Sequence, residues 1–287
     1  MYILLYNPLS KNKKSKHVTK KLVDYFKKHN IPFRVKSLLK IQDLSQFIEA
    51  KPKEIHWVVL GGDGTINTFI NQTYDLDIPH PIYLKKSGSG NDFLRSLKRQ
   101  TKPLQHVAKL VYNDTPRYFV NGAGMGIDGM IANNVNQSKR KHKLNYLMQT
   151  IKALVRYTPQ TLNVTIDGVD KTFKKAYLIN VNNGSYVGGG MRLTPFAKPE
   201  EDALDVLIVH KGNKFLLILI FLSVYLGLHT KVKRYVYYQK AHHVKATMSS
   251  PQIAQCDGEC FSDTVSLEVS LTKKIMHIKP FEVKKTR

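Results

Sequence analysis

The sequence predicts an α/β amino-terminal domain with a parallel sheet, joined to a mostly antiparallel, β-sandwich-like carboxyl-terminal domain. Three observations predict it. Short apolar runs alternate with helix-compatible segments over residues 1–118; strand-like runs with few helices between them fill residues 119–287; and glycine-rich turns fall where the apolar runs stop. Alternation of the first kind implies a sheet covered on both faces, with ligands outside the carboxyl ends of its strands. The carboxyl-terminal residues are allowed to return to the first domain.

Met1 to Tyr6 is apolar and reads as the opening strand, ended by the turn Asn7-Pro8-Leu9-Ser10. Val18, Leu22, Val23 and Phe26 then mark one face of a helix. Phe33 to Leu39 follows as a strand, Ile41 to Glu49 as a helix, Ile55 to Leu60 as the third strand and Pro81 to Leu84 as the fourth. The boundary falls between Pro116 and Asn121. After a basic helical region, Ser138 to Arg156, the runs Leu162 to Ile166, Lys174 to Asn180, Leu204 to His210, His242 to Met248 and Val265 to Leu271 read as strands. Phe215 to Leu228 interrupts them. It is apolar but shorter than the roughly 20 residues that span a bilayer, and it reads either as a core helix or as the lining of an apolar ligand cavity.

The third strand runs into Gly61-Gly62-Asp63-Gly64-Thr65-Ile66-Asn67. Glycines at a strand end remove Cβ atoms and let backbone N–H groups close on a phosphate chain, and the helix that follows would turn its N-terminus to the anion. A tight turn with a capping aspartate would have the same appearance. The fourth strand repeats the pattern as Ser87-Gly88-Ser89-Gly90-Asn91-Asp92-Phe93. A third strand-to-glycine transition, Asn121-Gly122-Ala123-Gly124-Met125-Gly126-Ile127-Asp128, carries a further acid and reads as a ligand contact or as an interdomain crossing.

Lysine and arginine number 45 against 21 aspartates and glutamates in 287 residues, a formal charge of +24. That excess favours polyanionic partners: nucleic acid, an anionic membrane or phosphorylated ligands. The basic residues lie in short clusters through the chain, which argues against a disordered nucleic-acid arm. No zinc-finger spacing, aromatic RNA-recognition consensus or basic heptad repeat is present, so nucleic acid is not an expected partner, and a basic nucleic-acid-binding protein is the alternative from another class. Cys256 and Cys260 do not have metal or redox spacing and are expected to be reduced. The amino terminus is too short an apolar stretch for a signal peptide, which predicts a cytoplasmic protein.

Taken in order, the two glycine loops, Gly188-Gly189-Gly190-Met191 with Pro195, and Asp257-Gly258-Glu259 resemble the motifs of the diacylglycerol kinase-type lipid kinase family, the soluble bacterial members above all. The first loop alone is also similar to that of nicotinamide dinucleotide kinases. The resemblance implies an ATP-binding α/β domain, a lipid-binding β-rich domain, a cleft between them, and transfer of the γ-phosphate of ATP, with Mg²⁺, to a lipid hydroxyl. Diacylglycerol is the first expected substrate; a sphingoid-type lipid or a nicotinamide dinucleotide is the alternative. Carried onto this sequence, it implies that Gly61, Gly62, Asp63, Gly64, Thr65, Ile66 and Asn67 meet the ATP phosphates and that Gly88 and Ser89 lie near the nucleotide. Asn7 and Pro8 match a phosphate-side turn that usually has a glycine two positions on, where Ser10 and Lys11 stand here. Ser37 matches a nucleotide-contacting threonine. Asp63, Asp92 and Glu259 form the implied catalytic set, with Glu259 as proton acceptor and Asp63 and Asp92 organising metal and phosphates; exchange of these roles between Asp63 and Glu259 stays open. Asp128 matches an acid that meets the substrate head group in sphingosine kinases. A structural magnesium site is matched by Glu201, Asp202 and Ala203, although the family's usual two aspartates and glycine are replaced here by two glutamates and Asp202. The expected partners are a lipid substrate and an anionic membrane surface at the inner face, with a homodimer allowed.

Overall fold

The computed structural model describes residues 1–10, 15–88, 90–98, 100–102, 104–112, 114–138 and 143–282. The apolar runs of the first third become β1 (Tyr2–Tyr6), β2 (Phe33–Ser37), β3 (His56–Gly61) and β4 (Ile82–Lys86), paired in parallel in the order β4-β3-β1-β2. The helices α1 (Ser15–Lys28), α2 (Leu44–Glu49), α3 (Asp63–Thr73) and α4 (Asp92–Leu97) follow the four strands in turn. Successive strand residues point to opposite faces, and both faces are covered. Leu5 and Val59 pack with Ile66, Phe69, Ile70 and Phe93 on one side, whereas Leu4, Val58 and Leu60 pack with Leu22 and Phe26 on the other. That is why β3 is apolar at consecutive positions rather than alternating.

The second part contains β5 (Leu104–Tyr112), β6 (Thr115–Phe119), β7 (Gly122–Gly126), α5 (Ile127–Gln137), α6 (Lys143–Arg156), β8 (Gln160–Ile166) and β9 (Val169–Asn182), then β10 (Leu204–His210), α7 (Lys214–Val224), β11 (Val236–Ala241), β12 (His243–Cys256) and β13 (Glu259–Pro280). Its pairings are antiparallel: β7 lies between β9 and β12, β10 joins β9 to β11, and β8 closes on β9 and β12. Antiparallel pairing begins at Leu104, ahead of residue 119. β13, 22 residues long, pairs with β12, then with β5, and finally in parallel with β4 through Ile278, Lys279 and Pro280. One strand therefore belongs to both sheets.

The apolar segment Phe215 to Leu228 takes the core-helix reading on one of its sides. Its helix α7 buries Leu217, Ile220 and Val224 in a cluster with Ile131, Leu154 and Tyr177, while Phe215, Leu219, Leu222 and Leu226 are exposed. It is thus a core helix on one side only. An unbroken apolar sequence has no periodicity from which the two faces could be told apart. Among the described residues, no helix is long and apolar enough to cross a membrane.

Candidate active site

The two glycine turns, after β3 and after β4, lie backbone against backbone. A Cβ on Gly62 would come within 2.7 Å of the Gly90 carbonyl oxygen, and one on Gly88 within 2.5 Å of the Gly62 Cα. Only glycine lets the two main chains approach this closely. Gly64 faces open space instead, leaving the outer side of the first loop free for a ligand. Beside it, the Thr65 hydroxyl is 3.4 Å from Asn7 Nδ2 and 3.4 Å from Ser10 Oγ, so the turn after β1 meets the first turn of α3.

Asp63 begins α3 and reaches across to α4. Its Oδ2 accepts the Asp92 N–H at 2.9 Å and its Oδ1 the Phe93 N–H at 3.1 Å. Asp92 in turn reaches the second domain: its Oδ2 accepts the Gly189 N–H at 2.7 Å, and its Oδ1 accepts from Arg95 at 2.5 Å. A bonded chain therefore runs from the first glycine loop through the second to residues 188–190, where all three glycines have positive φ. Burial, reinforced by the charge of Asp92, pushes the Asp63 carboxyl up to about 7.

Asp257 ties the domains together from the other side. Asp257 and Gly258 form the two-residue turn between β12 and β13, with φ of 47° and 88° and Cys256 opposite Glu259, the positive-φ pair that a tight hairpin requires. The Asp257 carboxylate accepts N–H bonds from Val120 at 3.1 Å, Asn121 at 3.0 Å and Gly122 at 3.0 Å, and a fourth at 2.9 Å from the Asn67 amide of α3. Burial raises its pKa and these four bonds oppose the rise. Asp128, in the first turn of α5, accepts from Asn180 and Gln255, each at 2.6 Å, and burial pushes it up to about 6. The small size of Gly124 makes room for it, since a Cβ there would stand 2.6 Å from Asp128 Oδ2.

Asp63, Asp92, Asp128 and Asp257 line one cavity of about 160 Å³, closed further by Gly122, Val135, Val187 and Gly258. It is smaller than the roughly 300–1,000 Å³ of a drug-sized ligand site, so it suits a head group rather than a whole lipid. A second cleft of about 430 Å³ lies along α3, lined by Asn7, Leu38, Leu39, Ile41, Thr65 and Phe69 among others. Ser37 is buried one residue before that lining. Pro8 lies in the turn after β1.

Other sequence-predicted residues do not line these cavities. Glu259 is exposed at the start of β13, next to Gly258, which lines the first cavity. Ile66 points into the core, and Asn67 is turned to Asp257 and the Tyr118 carbonyl. Ser89 lies outside the described residues. The expected structural metal ligands Glu201, Asp202 and Ala203 are not gathered into a ligand set. Glu201 is held by the Lys198 and Lys240 ammonium groups, Asp202 is mostly exposed near His106, and neighbouring Glu200 accepts from the Thr101 and Lys102 N–H groups. Two cations already on Glu201 do not fit a divalent ion that wants oxygen ligands. Sequence reasoning quoted Asp257 without a role and passed over Asn180 and Gln255. The Asp-Gly dipeptide between two strand runs was the available signal for the hairpin.

The first 120 residues match the model of the diacylglycerol kinase catalytic domain, and residues 122–278 match that of the YegS C-terminal NAD kinase beta sandwich-like domain. A diacylglycerol kinase of Mycobacterium tuberculosis (strain H37Rv) is 23% identical over 191 residues, and the match spans 61% of this chain and 61% of that relative's length. Among solved structures, a diacylglycerol kinase from Bacillus anthracis superposes with a TM-score of 0.63 at 19% identity over 97% of both chains. A second Bacillus anthracis structure reaches a TM-score of 0.70 at 22% identity, over 97% of this chain and 95% of its own. At such identities the superpositions speak to fold alone, while the two family models cover the chain almost from end to end: the chain belongs to the diacylglycerol kinase-type lipid kinase family.

Proposed function

We propose that the chain transfers the γ-phosphate of ATP to a lipid hydroxyl, with diacylglycerol as the first substrate to test and phosphatidic acid as its product. The observation that carries this reading is the convergence of four carboxylates, Asp63, Asp92, Asp128 and Asp257, from both domains on one head-group-sized cavity beside two glycine turns. Phosphoryl transfer requires phosphates held by backbone dipoles, neutralisation of charge, and an acceptor for the hydroxyl proton. The second cleft would take the nucleoside, and the open side of the loop at Gly64 would take the phosphates. A divalent cation between Asp63 and Asp92 would take the place of Arg95 on Asp92 and relieve the like-charge repulsion that helps raise Asp63. Mg²⁺ brought with the nucleotide would neutralise charge on the transferred group. Asp128, held by two amide groups, would accept a hydrogen bond from the lipid head group. Glu259, at the cavity rim, would take the proton of the reacting hydroxyl, with Asp63 as the alternative acceptor.

The test is incubation with labelled ATP, Mg²⁺ and a panel of diacylglycerol, sphingoid lipid and nicotinamide dinucleotide, the lipids in mixed micelles. Labelled phosphatidic acid is the expected product. Label in the dinucleotide alone would replace this reading with that of a soluble-substrate kinase.

A further inference from the structure

Helix α7 is apolar almost all round; Lys214 and Ser223 are its only polar residues, and the Ser223 hydroxyl donates internally to the Ile220 carbonyl at 2.7 Å. A helix of that composition belongs in a core or in lipid. Here one side is in the core and the other is bare. Phe215 is 71% exposed, Leu226 68%, Leu219 and Leu222 48% each, and Leu228 42%. Helix α6 adds to the surface. Its Met148, Ile151 and Val155 are exposed at helical spacing, and Lys214 donates to the Val155 carbonyl, which places the end of α6 beside the start of α7.

The surroundings of this patch are cationic. Lys152, Arg156, Lys211, Lys214, Lys231 and Arg234 are exposed next to it in sequence, and the chain has no aspartate or glutamate from 129 to 166 or from 206 to 256. Both helices lie within those stretches. Beneath the patch, Leu217, Ile220 and Val224 join Ile131, Leu154 and Met191 in one apolar cluster, against which Val135 and Val187 of the cavity wall also pack. Apolar matter is thus continuous from the bare side of α7 to the four-carboxylate cavity.

We infer that the exposed side of α7, with the adjoining stripe of α6, is the surface by which the chain docks on an anionic lipid bilayer. Apolar side chains enter the headgroup–acyl boundary while the surrounding lysines and arginines meet lipid phosphates, the division of labour of an interfacial helix. A second copy of this chain is the poorer occupant. A two-fold contact through this face would bring the same basic residues of both copies together, with no acid in either segment to pair them. The inference rests on the lipid-kinase reading for its purpose, because a head-group-sized cavity leaves the acyl chains in the membrane; the chemistry of the surface stands on the patch itself.

The experiment is co-sedimentation with vesicles of phosphatidylcholine alone and of phosphatidylcholine with phosphatidylglycerol. The whole chain is compared with a Phe215→Ser, Leu226→Ser variant and a Lys231→Glu, Arg234→Glu variant, alongside thermal unfolding, sedimentation velocity and lipid phosphorylation in detergent micelles. Binding to phosphatidylglycerol vesicles should exceed that to phosphatidylcholine and weaken with salt. The apolar variant should lose it by roughly tenfold to a hundredfold, the worth of one fully buried large side chain, with an unchanged unfolding midpoint and unchanged micellar turnover. The basic variant should lose binding and salt dependence together. Equal, salt-insensitive binding to both vesicles, undiminished binding by the apolar variant, or a wild-type dimer that the same variant dissolves would each overturn the inference. If the vesicle results hold while no lipid is phosphorylated in micelles, the kinase reading falls and the docking surface stands.

Discussion

Asp63 and Glu259 differ in a way that their chemistry can exploit. Asp63 is enclosed, spends both oxygens on the N-terminal N–H groups of α4, and is raised to about 7; Glu259 is open to solvent, one residue beyond Gly258 of the cavity lining. An enclosed carboxylate whose charge is hard to hold gains most from a cation, whereas a carboxylate at the rim can meet an incoming hydroxyl. Glu259→Gln should therefore leave ATP affinity nearly unchanged and lower turnover by roughly 10²- to 10⁴-fold, while Asp63→Asn should remove the Mg²⁺-dependent part of ATP binding. Titrating ATP into both variants with and without Mg²⁺ decides the matter, since the opposite pattern assigns the base to Asp63. The raised carboxyls also give stability a pH dependence. For Asp63 and for Asp128, raised to about 6, the folded pKa lies above the unfolded value of about 3.9, so the native state binds more protons than the unfolded chain between those limits. Their contribution is fully present below about pH 4 and is lost as pH rises through 6 to 7. Asp128→Asn should flatten that part of the curve, and thermal midpoints that fall as steeply with pH in the variant as in the wild type would show that Asp128 does not carry the effect.

At the level of elements, the two glycine loops and the β12–β13 hairpin do different work with the same residue type. Gly62 and Gly88 are small because each faces the other's main chain; Gly64 is small with nothing near it. Gly88→Ala should cost about 1–3 kcal/mol of unfolding free energy through overpacking, whereas Gly64→Ala should stabilise by up to about 1 kcal/mol through helix propensity and reduced unfolded-state entropy and still weaken ATP binding. Denaturant midpoints set against ATP affinity separate the two, and equal destabilisation by both would contradict the close packing. In the hairpin, Asp257→Ala would strand three backbone N–H groups and the Asn67 amide. At about 1–3 kcal/mol for each buried group left unpaired, even partial rescue by water leaves a loss of about 3 kcal/mol, readable as a lowered urea midpoint. The strands β1, β3, β10 and each glycine loop could be read from the sequence because their signals are local: an apolar run followed by a turn. That the two loops interlock, or that Asp257 reaches Asn67 across 190 positions, depends on pairs distant in sequence, and no local pattern encodes it. For helix α7 the sequence left two readings open for the opposite reason, since its composition is uniform and burial there is decided by what lies beside it.

Across the whole molecule, β13 decides how the two parts behave together. A pair of domains joined by a linker would share only a modest polar contact and would unfold separately. Here a single strand pairs with β12 and β5 and then enters the parallel sheet beside β4, while Ile278 and Met276 fill the amino-terminal core with Val59, Ile82 and Phe93. The Asn67–Asp257 and Gly189–Asp92 bonds cross the same junction close to the cavity. Unfolding the β-rich part would therefore pull a buried strand out of the α/β part, exposing the β4 edge and the apolar residues packed on it. The whole chain should then unfold in one transition, with the calorimetric enthalpy equal to the van't Hoff enthalpy. Ile278→Ala should lower that single transition by about 2–5 kcal/mol, the usual cost of emptying a buried isoleucine site, without splitting it. Two separable transitions in the wild type, with only one of them shifted by Ile278→Ala, would mean that β13 ends in the first sheet without coupling it to the second, and that the cleft carboxylates are held in place by the Asp257 and Asp92 bonds alone.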